Sequence, residues 1–309
     1  MKRLATLDKL LRHFRDRRPI RAGSLIVTTF GDSIVHHGNS VWLGNLITAL
    51  EPFGLNQRLI RTSVYRLVQD DWLATSQVGR RSYYSFTDAG LRHFEKAARR
   101  IYAGAEPPWD GRWTLILAGF LNDRQRDALR RELHWLGYGT LTPGMMAHPS
   151  GDRGPLDETL AEMKLADRVT VLSATTEDPV SRQVLRKISE RSWKLDELGE
   201  RYKSFLKDFR PLLASLRKAP DIDPGQAFLV RTLLIHEYRR LLLRDADLPS
   251  ELLPANWPGR SAHQLTANIY QLVDTPAERY IMENFESADG ALPPANPDLR
   301  VRFSGLAPA

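Results

Sequence analysis

Asn56-Gln57-Arg58-Leu59-Ile60-Arg61-Thr62-Ser63-Val64-Tyr65-Arg66-Leu67-Val68 is the stretch on which the reading of this chain turns, together with the Trp72–Val78 and Ser82–Thr87 segments that follow it around Gly79-Arg80-Arg81. Leu59, Ile60, Val64, Leu67 and Val68 recur at helical spacing and define one apolar stripe. Asn56 stands where an N-cap belongs, because its side chain can accept from a free amide of the first turn. The two following segments have strand length and strand composition, and a glycine-led tip joins them as a hairpin. A helix, then a hairpin with basic residues at its tip, is the pattern of a winged helix-turn-helix. With the stripe turned inward, the other face carries Gln57, Arg58, Arg61, Thr62 and Tyr65, with Arg66 at its edge. Arginine can donate two bonds to guanine in the major groove and glutamine can pair with adenine. The N-terminal part of a recognition helix reaches the base edges, which favours Gln57, Arg58, Arg61 and Thr62 for that role. Arg66 then contacts phosphate or braces the fold. Arg80 and Arg81 would reach phosphates or the minor groove.

The elements around this stretch complete the module. Ser24–Val35 reads as a first helix closing near Gly38, and Val41–Leu50 as a second carrying Trp42, Leu46, Ile47 and Leu50. Glu51-Pro52-Phe53-Gly54 is a turn. Thr87 or Asp88 caps a closing helix from Ala89 to Tyr102. Residues 1–22 precede the module as an amphipathic extension, with Leu4, Leu7, Leu10, Leu11 and Phe14 on one face, ending at Arg17-Arg18-Pro19. That face is expected to pack on the protein rather than on a membrane.

Charge follows the same division. Residues 1–105 hold 17 Lys and Arg against 8 Asp and Glu, a net of +9; residues 106–309 hold 27 against 29, a net of −2. The basic surplus sits in the first third, as in a polyanion-binding module joined to something else. The chain has no cysteine, so disulfides, thiolate metal sites and cysteine nucleophiles are excluded. It shows neither a signal peptide nor an apolar run long enough to cross a bilayer, and a cytoplasmic location is expected.

Beyond the Glu106-Pro107-Pro108 break, strands at Trp113–Phe120, Tyr138–Leu141 and Val169–Ser173 alternate with helices at Asp123–Trp135 and Leu156–Leu165. A repeated strand-helix-strand of this kind resembles a ferredoxin-like α+β unit. From Pro179 the chain is mostly helical: Ser181–Ser192, Lys194–Arg217, Gln226–Leu243 and Ser261–Val273. Its last ~20 residues, rich in Pro and Ala, are expected to be poorly ordered. The expected fold is thus α+β and multidomain. It comprises an extension (1–22), a winged helix-turn-helix (23–105), a ferredoxin-like central domain (106–178), a mostly helical C-terminal domain (179–285) and a tail (286–309).

Several segments resemble the phenylacetate-degradation operon repressors, the PaaX-like transcriptional regulators. They are Phe30-Gly31-Asp32, Val41-Trp42-Leu43-Gly44, Arg61-Thr62-Ser63-Val64-Tyr65-Arg66-Leu67 with Trp72-Leu73, Gly79-Arg80-Arg81-Ser82-Tyr83-Tyr84, and Thr87-Asp88-Ala89-Gly90. Further on they are Trp109-Asp110-Gly111-Arg112-Trp113, His236-Glu237-Tyr238-Arg239-Arg240, and Arg244-Asp245-Ala246-Asp247-Leu248-Pro249 through Trp257-Pro258-Gly259. The resemblance runs from about Gly23 to Val273. It implies repression of aromatic catabolism genes through double-stranded operator DNA. It also implies release by an aryl acyl-CoA such as phenylacetyl-CoA, and a homodimer formed through the central domain. An operator with palindromic half-sites agrees with two-fold protein symmetry.

For such an effector, phosphates call for arginine and the adenine ring can stack on an aromatic side chain. Arg239, Arg240, Arg244 and Trp257 are the candidates, with salt bridging and packing of a helix-loop corner as the alternative. No phosphate loop, nucleophile elbow or metal set is present, so no catalytic, metal or resident-cofactor residue is assigned. His36-His37 point to different sides of a helix, and His236-Glu237 sit in an apolar one. The rival reading is a metal-dependent nuclease built on the central domain, with Asp123 as metal ligand; as the alternative, Asp123 is a helix N-cap.

Overall fold

The computed structural model describes residues 4–17, 19–103, 109–149, 153–176, 178–219, 221–297, 299 and 302–303, without the side chains of residues 96 and 97. The Glu106-Pro107-Pro108 break and residues 304–309 of the tail lie outside them. The chain forms two compact units. The first joins residues 1–105, 204–240 and 260–309, and the second joins 106–203 and 241–259. The sequence predicts boundaries at residues 22, 105, 178 and 285. In the structure, residues 204–240 and 260–309 are built into the same unit as the N-terminal module.

In the first unit, α1 (Ala5–Asp16) buries Leu7, Leu10, Leu11 and Phe14. Phe14 meets Phe53 and the His236 ring edge-on, at 5.8 and 5.6 Å. α2 (Ala22–Thr29) is shorter than the helix expected over Ser24–Val35. The chain opens into a π-helical turn over Phe30–Ile34, then a 3-10 turn over Val35–His37, ending at Gly38 with φ +83°. The cause is visible. The Gly31 and Asp32 carbonyls accept from two arginine side chains, with Arg302 Nη2 to Gly31 O at 3.1 Å and Arg231 Nη2 and Arg302 Nη1 to Asp32 O at 3.0 Å each.

Val41 and Trp42 form a short strand, β1 (Val41–Trp42), rather than the start of the second helix. α3 (Leu43–Leu50) follows, and Gly54 turns the chain into α4 (Gln57–Gln69). Asn56 caps α4, accepting from Leu59 N at 2.8 Å. β2 (Leu73–Val78) and β3 (Arg81–Phe86) pair antiparallel, and β1 adds to the free side of β3. The register closes Val78 on Arg81, leaving Gly79-Arg80 as a two-residue turn. Gly79 has φ +59°, the left-handed value a tight hairpin needs at its first position. Thr87 caps α5 (Asp88–Ile101), accepting from Gly90 N at 2.9 Å.

The second unit has the order β4 (Arg112–Leu117), α6 (Asp123–Trp135), β5 (Gly139–Thr142), β6 (Met145–Pro149), α7 (Arg153–Glu162) and β7 (Thr170–Thr175). All pairs are antiparallel and the sheet order is β5-β6-β4-β7. A βαββαβ chain so ordered is the ferredoxin-like arrangement. Leu129, Leu133, Leu156 and Leu160 from the helices and Ile116 and Met146 from the sheet share one core. The sequence does not predict β6, because Met-Met-Ala-His-Pro does not alternate apolar and polar residues. α6 is capped by Asn122 rather than Asp123, in a reciprocal capping box with Gln125.

Four long helices follow: α8 (Pro179–Ser192), α9 (Leu195–Arg217), α10 (Pro224–Leu242) and α11 (Pro258–Asn284). α11 was expected to stop at Val273 but continues through Pro276. Ala277 and Ile281 beyond that proline are fully buried, and packing of this kind offsets the lost hydrogen bond. The segment after α11 also departs from expectation. β8 (Glu286–Ser287) and β9 (Gly290–Ala291) form a small ladder, and Leu292, Leu299 and Phe303 are buried.

The first unit is centred on a buried ionic cluster. Asp32, in the widened turn after α2, is fully buried. Its carboxylate accepts from Arg231 Nε of α10 (2.8 Å), Arg302 Nη1 (2.9 Å) and Tyr102 OH after α5 (2.6 Å). Arg231 also reaches Asp274 (3.1 Å) and Glu278 (2.5 Å) of α11. Burial alone raises a carboxyl pKa, but the two guanidiniums and the Tyr102 hydroxyl hold Asp32 below its ordinary value. Removing one partner of such a set leaves a buried charge without compensation. Arg231→Met is therefore expected to lower the unfolding free energy of the first unit by about 3–5 kcal/mol, read from chemical denaturation followed by tryptophan fluorescence.

Candidate nucleic-acid interface

α4 owes its orientation to its apolar stripe. Ile60, Val64 and Leu67 are buried, while Gln57, Arg58, Arg61, Thr62, Tyr65 and Arg66 are all exposed. Tyr65, at 64 % exposure, is a large ring that the fold leaves in solvent. The Thr62 hydroxyl donates to Arg58 O at 2.9 Å. With its amide oriented to suit its neighbours, Gln57 accepts from Arg61 Nη2 and Nε at 3.0 and 3.1 Å. That contact holds the Arg61 guanidinium near the start of the helix. The six residues thus form one continuous polar and cationic face.

The hairpin separates the two tip arginines. Arg80 is exposed in the turn. Arg81 instead bonds to Glu286 of β8, and its guanidinium lies 4.5 Å from the centre of the Trp42 ring. Asn45 accepts from Glu286 N at 3.1 Å and donates to Asn284 O at 2.8 Å. The residues after α11 thereby brace the base of α3 and the end of the hairpin. Nothing in the spacing of a Pro- and Ala-rich terminal segment signals this role.

The four effector candidates fall in different places. Arg239 and Arg240 belong to the first unit, Arg244 and Trp257 to the second. Arg239 donates to Ser24 Oγ at 3.2 Å, and burial lowers its pKa. Arg240 donates to both Glu237 oxygens (3.2 and 3.1 Å), and Glu237 also accepts from Arg17 at 2.6 Å. Arg244 is exposed. Trp257 is largely buried edge-on against Tyr202, 5.7 Å between ring centres, and the Tyr202 hydroxyl donates to Asp245 at 2.6 Å. Arg240 and Trp257 are thus engaged in ion pairing and packing.

The remaining singled-out residues have structural partners. His36 Nδ1 pairs with Asn296 and its Nε2 with Arg302, at 2.9 and 2.8 Å. His37 bridges Pro293 O (2.8 Å) and Glu278 (2.9 Å). Asp123 lies exposed beside Arg126, 2.5 Å away. No group of three or more His, Asp or Glu is arranged for a metal among the described residues, and none of their helices is long and apolar enough to cross a membrane.

This is a chain with a ferredoxin-like central sheet, long C-terminal helices and, ahead of them, a cationic helix face followed by a hairpin. The family model for the PaaX-like protein matches residues 21–90, that for the PaaX protein central Cas2-like domain residues 106–185, and that for the PaaX-like protein C-terminal domain residues 193–283. The chain is 40% identical to the transcriptional repressor PaaX of Escherichia coli (strain K12) over 304 residues, 98% of this chain and 96% of that protein. It belongs to the PaaX-like family. A solved structure, the uncharacterised protein Rv0674 from Mycobacterium tuberculosis, is similar over 75% of this chain and 90% of its own, at 25% identity and a TM-score of 0.48.

His236 supplies a pH test of the unit that carries this interface. It is buried, with Nδ1 3.3 Å from Thr28 Oγ1, and burial pushes its pKa down to about 4. Against an unfolded value near 6.5, the folded state resists protonation. The stability this contributes is complete above about pH 6.5 and is lost as pH falls towards 4. The urea midpoint is expected to fall between pH 7 and pH 5, and His236→Gln should flatten that dependence.

Proposed function

We propose that this protein is a DNA-binding transcriptional repressor whose residues 23–105 act as a winged helix-turn-helix. The carrying observation is the exposed face of α4, Gln57, Arg58, Arg61, Thr62, Tyr65 and Arg66, directly ahead of a hairpin with Arg80 at its turn. A helix in the major groove offers its first two turns to the base edges, so Gln57, Arg58, Arg61 and Thr62 read sequence. Tyr65 and Arg66, further along, meet the backbone. Arg80 reaches phosphate or the minor groove beside the helix. Arg81 keeps the hairpin on Trp42 and Glu286, so its contribution to DNA binding is indirect.

Membership of the PaaX-like family and the 40% identity to a protein named as a repressor support this reading. By the same resemblance the regulated genes are those of phenylacetate or related aromatic catabolism. The effector is phenylacetyl-CoA or a similar aryl acyl-CoA, the repressor is a cytoplasmic homodimer paired through the central domain, and the protein performs no catalysis. Asp123 is exposed and paired with Arg126, which gives the nuclease reading no support.

Two variants test the interface. Arg61→Ala should weaken binding to its operator by about 1–3 kcal/mol and relax base preference at one position. Arg80→Ala should weaken operator and random duplex alike and reduce the slope of log affinity against log salt by about 1. Fluorescence anisotropy over a salt series measures both. An Arg61→Ala protein that holds its operator at full strength removes α4 from the base-reading role.

A further inference from the structure

The second unit contains a cleft of about 710 Å3 that no role above uses. This is the size of a small-molecule site. Trp109, Thr175, Thr176, Arg182, Gln183 and Arg186 are among its lining residues. Arg186 shares a face of α8 with Arg182, four residues before it, and with Gln183, three residues before it. The first helical residue, Pro179, also borders the cleft, next to Asp178, whose carboxylate caps α8 by accepting from Ser181 N at 2.8 Å.

The charged residues of the cleft are Arg182, Arg186 and, at its rim, the carboxylates Asp110 and Glu251. Arg186 is anchored through Nε and Nη2 to the Glu251 carbonyl, at 3.0 and 2.7 Å. That acceptor is neutral, so the cation keeps its charge, and the geometry fixes where it points. Arg182 makes no ion pair among the described residues. Of the two rim carboxylates, Asp110 faces the cation of Arg112, while Glu251 takes a neutral hydroxyl hydrogen bond and keeps its negative charge. Asp110 accepts from Arg112 N at 2.9 Å and lies 3.7 Å from its guanidinium, and Glu251 Oε2 accepts from Ser250 Oγ at 3.2 Å. Trp109 is held by its indole N–H, which donates to Arg112 O at 3.1 Å, and by edge contact with the buried Trp113 at 5.6 Å. The cleft therefore combines two guanidiniums, two rim carboxylates, threonine hydroxyls, an amide and an aromatic ring of fixed position. Arginine forks and hydroxyls suit phosphate oxygens, and an indole suits a planar ring.

We infer that this cleft is the effector site and takes the phosphate-bearing end of an acyl-CoA thioester, with phosphates on Arg182 and Arg186 and the adenine against Trp109. The inference rests on the acyl-CoA reading of the effector. It moves the site away from Arg239 and Arg240, whose guanidiniums contact Ser24 and Glu237, and away from the packed Trp257.

The test is isothermal titration of the full chain with phenylacetyl-CoA and with free coenzyme A, comparing wild type with Arg182→Ala, Arg182→Glu and Arg186→Ala. Unchanged melting curves without ligand establish that the variants fold, as the exposed position of Arg182 predicts. Loss of a charge-assisted phosphate contact should weaken both ligands about tenfold or more, and the charge reversal should weaken them further. Wild-type affinity retained by the Arg182 and Arg186 variants overturns the site and leaves the effector reading standing. If neither ligand binds the wild-type protein, the site and the effector reading fall together.

Discussion

Asp32 is the residue around which the first compact unit is arranged. A carboxylate fully out of water is tolerable only where cations and hydroxyls surround it, and here Arg231, Arg302 and Tyr102 do so. These partners come from α10, the segment beyond α11 and the end of α5. One charge thus requires four distant parts of the chain to be in register together. Glu278, held down at about pKa 2 against the effect of burial by His37 and Arg231, extends the requirement along α11. Because each ion depends on the others for compensation, the cluster forms as a whole.

That constraint bears on the interface. α2 packs on α4, with Gly23 facing Leu67, and the turn after α2 is the part seized by Arg231 and Arg302. Gly31 in this turn has no room for a side chain, since an added Cβ would overlap the Phe94 ring. The helix that we propose reads DNA therefore rests on a support whose shape is set by C-terminal side chains. Arg81 repeats the arrangement at the hairpin, tied to Glu286 beyond α11. The polar face of α4 takes no part in these contacts and remains exposed for a partner.

Local signals made a good part of the architecture legible. Asn56 and Thr87 cap the helices they precede, because capping needs only a side-chain oxygen three residues ahead of an amide. The outward face of α4 follows from the period of its apolar stripe. Signals that depend on partners were not legible. β6 has no alternation and exists through pairing with β4 and β5. Pro276 reads as a stop, yet α11 continues because Ala277 and Ile281 are buried beyond it. Arg302 sits in a segment with the composition of a loose tail, and only the buried Asp32 gives it a place.

The sequence by itself determined the elements whose causes are local: the capped helices, the hairpin with its glycine turn, the exposed Gln57, Arg58 and Arg61, and a basic surplus confined to the first 105 residues. It also carried family membership, since the matching segments are short and contiguous. Tertiary structure alone decided which arginines are engaged and how. Arg81 is spent on Trp42 and Glu286, Arg231 and Arg302 on a buried carboxylate, and Arg240 on Glu237, while Arg182 keeps its charge beside a cleft. The reason is physical. A guanidinium's role depends on the anion, ring or water beside it, and that neighbour is set by residues up to 270 positions away.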